Sequence, residues 1–261
     1  MFTLTAALVA WSFIQSPAAI EAPAPAARVV SSSEATYAKL AKEVAPAIVN
    51  VKFVMDFDSG FGGEQSEESE VHGVMIREDG IVLVSSAMMF GYEGMGFEIR
   101  PREIKVLVGE DTEGLDATVI IRDRERDLAW LRIAPKAEQK FAAVAFAGGS
   151  SVNLGAEVLQ VMKLDKYFDR AAYIVEGKVA AIVSKPRSLF VASGNVTVGL
   201  PVFASDGAVV GFGVLQLPEQ DEMMAMQNSM TGQLVFAHTV LPAADVAAAT
   251  DRALADLDND E

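Results

Sequence analysis

The chain has 261 residues, a formal net charge of −15, 51% hydrophobic residues and 22% charged ones. This is a globular composition, long enough for one large β domain or two small ones around a sizeable core. So acidic a surface repels phosphate backbones, so nucleic acid is not an expected partner. The absence of cysteine excludes disulfides, thiolate nucleophiles and cysteine-ligated metals.

Residues 2–14 form an apolar run broken only by small polar residues, shorter than the roughly 20 residues a membrane helix needs. Small residues and prolines follow over 16–27. The pattern resembles a signal peptide with an Ala/Pro-rich spacer, although no Lys or Arg precedes the run. It predicts export to a periplasmic or extracellular space, the alternative being an uncleaved anchor formed by residues 2–14. No other segment approaches membrane length.

Tyr37, Leu40, Ala41 and Val44 have the spacing of a short amphipathic helix that stops before Pro46. Strands are then predicted over 47–54, 71–76 and 81–85, the last two joined by the Glu78-Asp79-Gly80 turn. Further strands are predicted over 104–108, 115–122, 128–133, 158–162, 173–184, 189–192, 201–203, 209–215 and 234–240. Short strands at this spacing specify an all-β barrel or sandwich. An Ala-rich helix is expected over 241–257, with a frayed tail over 256–261. Residues 56–70, rich in Gly, Ser and acids, are expected to be a mobile loop. Residues 90–97 form a Gly-rich loop with aromatics. The Met-rich loop over 219–231 is expected to pack its methionines inward rather than offer a contact surface.

The order of segments resembles the protease domain of HtrA-type trypsin-like serine proteases, from about Tyr37 to Ala244. Ala45-Pro46-Ala47-Ile48-Val49-Asn50-Val51 is similar to the opening of that domain. Arg126-Asp127-Leu128-Ala129-Trp130-Leu131 is the best single match. Leu154-Gly155-Ala156-Glu157-Val158, Gly177-Lys178-Val179, residues 207–213 and Phe236-Ala237 follow in the same order. The resemblance implies a trypsin-like double six-stranded β-barrel with short N- and C-terminal helices. It divides the chain into a signal-like segment and linker (1–33), a first barrel (34–134), a second barrel (135–245) and a C-terminal helix with an acidic tail (246–261).

Such a protease needs a hydroxyl to attack, an imidazole to take its proton and a carboxylate to orient the imidazole, with backbone N–H groups for the oxyanion. By the resemblance the carboxylate is Asp127. The histidine position is Ala87, in Val84-Ser85-Ser86-Ala87-Met88. The serine position, anchored on Pro201, is Val198; anchored on Gly194-Asn195 it is Val196. Neither methyl nor isopropyl groups accept protons or attack carbonyls. Without its imidazole, Asp127 is left with an ordinary turn role. Of the two histidines, His72 and His238 both lie in predicted strands, where packing is the usual role. Thr197 and Ser193 are hydroxyls near the loop without a predicted base, and no spacing supports Lys178 or Lys185 as one. No zinc-ligand spacing, EF-hand or phosphate-binding glycine loop is present, so no metal and no cofactor is expected.

The sequence therefore predicts a catalytically inactive HtrA-like pseudoprotease, a binding or scaffold protein holding an unfolded or extended peptide, or another protein, in the exported space. Thr197, Gly199 and Leu200 are the candidate peptide-cleft residues, and no membrane contact is expected beyond the N-terminal run. Two alternatives stay open: a serine-type endopeptidase with an unrecognised nucleophile, and a structural subunit that docks through its acidic or Met-rich loops.

Overall fold

The computed structural model describes residues 32–58, 64–91, 100–134, 139–147, 151–185, 187–216 and 238–255. The apolar run, the spacer, the Met-rich loop, most of the Gly-rich aromatic loop, Phe236-Ala237 and the acidic tail lie outside them.

Helix α1 (Ser32–Glu43) leads into a 3₁₀ turn at Ala45–Ala47, where Pro46 can sit because a first-turn residue needs no N–H partner. Six strands follow: β1 (Ile48–Asp58), β2 (Glu64–Arg77), β3 (Ile81–Ser85), β4 (Arg100–Leu107), β5 (Leu115–Asp123) and β6 (Leu128–Ile133). A short helix α2 (Ser86–Phe90) lies between β3 and β4. These strands close an antiparallel barrel in the order β1-β2-β3-β6-β5-β4. The remaining strands are β7 (Glu157–Lys163), β8 (Ala172–Val183), β9 (Leu189–Gly194), β10 (Pro201–Ala204), β11 (Val209–Val214) and β12 (His238–Pro242). They close a second barrel, β10-β11-β12-β9-β8-β7, and helix α3 (Ala243–Leu254) follows it. Closure leaves neither sheet an unpaired edge strand.

The strand pattern follows from the side chains. β3 is buried at every position, Ile-Val-Leu-Val-Ser, as a short apolar run in the middle of a core must be. Its register sets Leu83 opposite Trp130 on β6. Gly80 at φ 96° closes the β2–β3 turn in a conformation that favours glycine. One continuous apolar core joins first-barrel residues such as Val74, Leu83 and Leu131 to Phe203, Phe212 and Leu241 of the second barrel and to Leu40 and Val246 of the helices. A separate cluster, including Val158, Val196 and Val240, fills the second barrel. Phe146, on the connection between barrels, meets Phe212 edge-on with ring centroids 6.1 Å apart.

Two expectations are corrected. Most of the acidic stretch 56–70 is strand: β1 and β2 pair continuously from Ile48↔Val74 to Asp58↔Glu64. Opposite charges hold the acids on the ladder, Lys52 with Glu68 at 2.9 Å, and Arg102 with Asp56 at 2.6 Å. At the other end, strand β12 takes Leu241 and Pro242, and the closing helix starts only at Ala243. Leu241 stays in the ladder opposite Phe212 because both are core residues.

The helices strap the barrels crosswise. From α1, the Thr36 hydroxyl donates to the Ser205 carbonyl at 3.0 Å and the Tyr37 hydroxyl donates to Glu176, both in the second barrel. From the first barrel, the Trp130 indole N–H donates to Thr250 on α3 at 3.1 Å. Among the described residues no helix is long and apolar enough to cross a membrane.

Candidate functional site at the seam between the barrels

The first wall of the seam begins where β3 ends. Ser85 is the N-cap of α2, its hydroxyl accepting from the Met88 N–H at 3.2 Å. The β3–β6 register pairs Ser85 with Leu128, which brings the preceding Asp127 alongside. Asp127 is 4% exposed and has φ 57°, a left-handed conformation uncommon outside glycine. Its carboxylate accepts from the Ser85 hydroxyl at 2.8 and 2.9 Å and from the Ala87 N–H at 2.6 Å. The Leu215 N–H, just past the end of β11, donates to its other oxygen at 2.6 Å. Burial pushes the Asp127 carboxyl up to about 6, against the opposing pull of these donors and of the nearby Arg122 charge. Arg122 itself is held with its guanidinium 4.1 Å from the Phe90 ring centroid and its Nε donating to the Ser86 hydroxyl at 3.2 Å.

Asp127 is thus more than the turn residue the sequence suggests. One buried carboxylate joins a strand end and a helix N-terminus of the first barrel to the backbone of the second.

The second wall is the segment 196–200. Gln160, fully buried on β7, clamps it: its carbonyl accepts from the Thr197 N–H at 2.6 Å, and its amide donates to the carbonyls of Thr197 at 2.9 Å and Leu200 at 3.3 Å. The Gly199 N–H donates to Gly213 at 2.8 Å, and the Gly213 N–H donates back to Leu200 at 2.9 Å. Gly199 has φ 88°, and a Cβ there would lie 3.0 Å from the His72 carbonyl oxygen and 3.8 Å from the Ser85 nitrogen. Segment 196–200 therefore presses on the first barrel beside the Ser85–Asp127 knot. Ala87, Asp127 and the Val198-Gly199 backbone share one seam.

The side chains along this wall are mostly withdrawn. Val196 and Leu200 are buried core residues, and Val198 and Thr197 are half-buried. Of the three cleft candidates, Gly199 and Leu200 are buried and only Thr197 keeps part of its surface. Gln160 was missed by sequence reasoning. A lone amide inside the apolar run Val158-Leu159-Gln160-Val161 was the available signal, since a buried polar side chain must find partners.

The remaining reactive groups are occupied elsewhere. Ser85 is buried and caps a helix. Thr197 Oγ1 lies 3.4 Å from the Met162 sulfur. Ser193 exchanges hydrogen bonds with the Lys178 backbone at 3.2 and 3.3 Å. His72 Nδ1 is 3.2 Å from Asn50 Oδ1, and burial holds its pKa below the usual histidine value. The side chain of His238 lies outside the described residues. Lys178 and Lys185 are exposed. Among the described residues no imidazole or lysine amine is hydrogen-bonded to a serine or threonine hydroxyl. Nor do any three His, Asp or Glu side chains among them stand where they could hold a metal. A hollow of about 690 Å³ lies away from the seam, between Tyr37 of α1 and Glu176, Gly177 and Ser193 of the second barrel.

Two closed six-stranded antiparallel barrels in one chain, with helices at both ends, define the trypsin-like double-barrel fold. No protein-family model matches the chain, and no curated protein matches it.

Proposed function

We propose that this protein is a non-catalytic, HtrA-like pseudoprotease that binds an extended or unfolded polypeptide in the exported space. One observation carries the reading: the carboxylate that would orient a base is spent on Ser85, the Ala87 N–H and Leu215, beside an alanine methyl. A proton acceptor and an attacking oxygen are both needed for acyl transfer, and loss of one triad member alone costs on the order of 10⁴-fold in rate. Binding needs neither group. Thr197, the one cleft candidate that keeps part of its surface, lies on the second wall of the seam, where an extended segment could be held without a triad.

The test uses the full chain with unfolded casein and a serine-reactive fluorophosphonate. The expected result is binding of casein by anisotropy, weakened by Thr197→Arg, with no turnover and no labelling. Turnover or labelling abolished by Thr197→Ala replaces this reading with a protease using an unrecognised nucleophile. Absence of peptide binding together with a co-purifying protein replaces it with a structural subunit.

A further inference from the structure

The turn between β7 and β8 projects aromatic side chains into solvent. Tyr167 is 84% exposed and Phe168 56%, with their rings edge-to-face at 5.0 Å. Tyr173, at the start of β8, is 49% exposed. Aromatics this exposed forfeit much of the burial that usually accounts for their presence.

The turn holding them is tightly built. Asp165 caps the 3₁₀ turn Lys166–Phe168, its carboxylate accepting from the Tyr167 N–H at 2.7 Å. Its carbonyl accepts from Phe168 at 3.0 Å and Arg170 at 3.2 Å, and the Leu164 N–H closes the base on Ala171 at 3.0 Å. Asp169 and Arg170 are consecutive non-glycine residues at φ 53° and 51°. Such conformations cost energy and persist where the surroundings enforce them. The backbone is committed to displaying these rings.

The same turn carries exposed Lys166 and half-buried Lys163 and Arg170. None of the three forms an ion pair among the described residues, and the acids on the same turn are Asp165, engaged as the cap, and Asp169. Lys163 and Arg170 are close enough for the Arg170 charge, together with burial, to hold the lysine below its ordinary pKa.

We propose that the β7–β8 turn is a membrane-contact knob, which sets Tyr167 and Phe168 into the interface of an anionic bilayer with Lys163, Lys166 and Arg170 on the headgroups. The exposure of the rings selects the occupant. Rings 84% and 56% exposed have no groove of this chain around them, and a bilayer interface accepts such rings. Tyrosine and phenylalanine flanked by lysine and arginine is the composition that partitions there. The net charge of −15 does not forbid the contact, because salt screens the remainder of the surface over about 8 Å. This knob is independent of the seam and of what the seam does.

The chain has no cysteine, so Ala171→Cys carrying an environment-sensitive fluorophore reports this turn alone. The full chain is mixed with phosphatidylglycerol/phosphatidylcholine vesicles and with phosphatidylcholine vesicles. The expected result is a blue shift with the anionic vesicles only, reversed by high salt. Lys166→Glu should weaken partitioning at least about fivefold, the effect of one cation at an anionic surface. Tyr167→Ser with Phe168→Ser should weaken it about tenfold or more, and these exposed substitutions leave the fold intact by circular dichroism. No vesicle binding overturns the proposal. So do equal shifts with both vesicles, or sedimentation with vesicles while the fluorophore stays silent, which places the contact elsewhere in the chain. A shift with polyglutamate but not with vesicles assigns the knob to an acidic protein instead.

Discussion

The two walls of the seam are fixed by opposite means. Around Asp127 a single buried charge gathers donors from both barrels. Along residues 196–200 apolar side chains sink into the core, and one neutral amide, Gln160, satisfies the backbone. A charge in a dry place is pH-dependent and costly to leave unmatched, whereas an amide clamp is neither. The first wall should therefore respond to pH and the second should not.

Asp127→Ala is the sharpest way to break this contrast. It strands the Ser85, Ala87 and Leu215 donors, and in acid, where the carboxyl is protonated and adds no charge penalty, it should cost about 4 kcal/mol. The folded carboxyl titrates near 6 against an ordinary value of 3.8. Between those values the folded state holds the extra proton, so the contribution of this group falls as pH rises through the window. The cost of Asp127→Ala should accordingly shrink by about 2–3 kcal/mol between pH 4 and pH 7. Urea unfolding of both proteins across that range measures it, and a pH-independent difference refutes the charged-wall account.

Gly213→Ala tests the other wall. Its Cβ would lie 2.4 Å from the Thr197 carbonyl oxygen, a backbone atom tied to Gln160. A loss of about 3 kcal/mol is expected, the same at every pH. Gln160→Leu keeps the bulk but leaves the Thr197 N–H and the Thr197 carbonyl unsatisfied, while the Leu200 carbonyl keeps the Gly213 N–H, for a loss of about 2 kcal/mol. Thermal melts at two pH values check both. Arg122→Leu should do least to stability. It should instead move the Asp127 midpoint still higher, because the arginine charge favours the ionised form. Carboxyl-resolved NMR titration reads that shift directly.

The sequence revealed the barrels more readily than the seam. Alternating and fully apolar runs such as Ile81–Ser85 and Leu128–Ile133 state their own burial, and their turns carry local signals such as Gly80. Strand ends were less legible, because pairing carries β1 and β2 through the charged residues 56–58 and 64–70 that local composition assigns to a loop. Asp127 could be located but not understood. Its partners Ser85 and Leu215 stand 42 and 88 residues away, and one donor is a backbone N–H that any residue would supply. The aromatic turn at Tyr167 was passed over for a similar reason, since outward-facing rings look like core residues until their exposure is seen.

The crosswise straps bear on how the molecule can be taken apart. A chain divided between Ile133 and Lys140 would put α1 on one fragment and its partners Ser205 and Glu176 on the other, and would separate Trp130 from Thr250 of α3 in the same way. Each half would lose hydrogen bonds that the other completes. Such fragments should fold poorly alone and regain native signal when mixed, as in split-protein complementation. A nick in that connection should likewise leave a stable two-piece molecule.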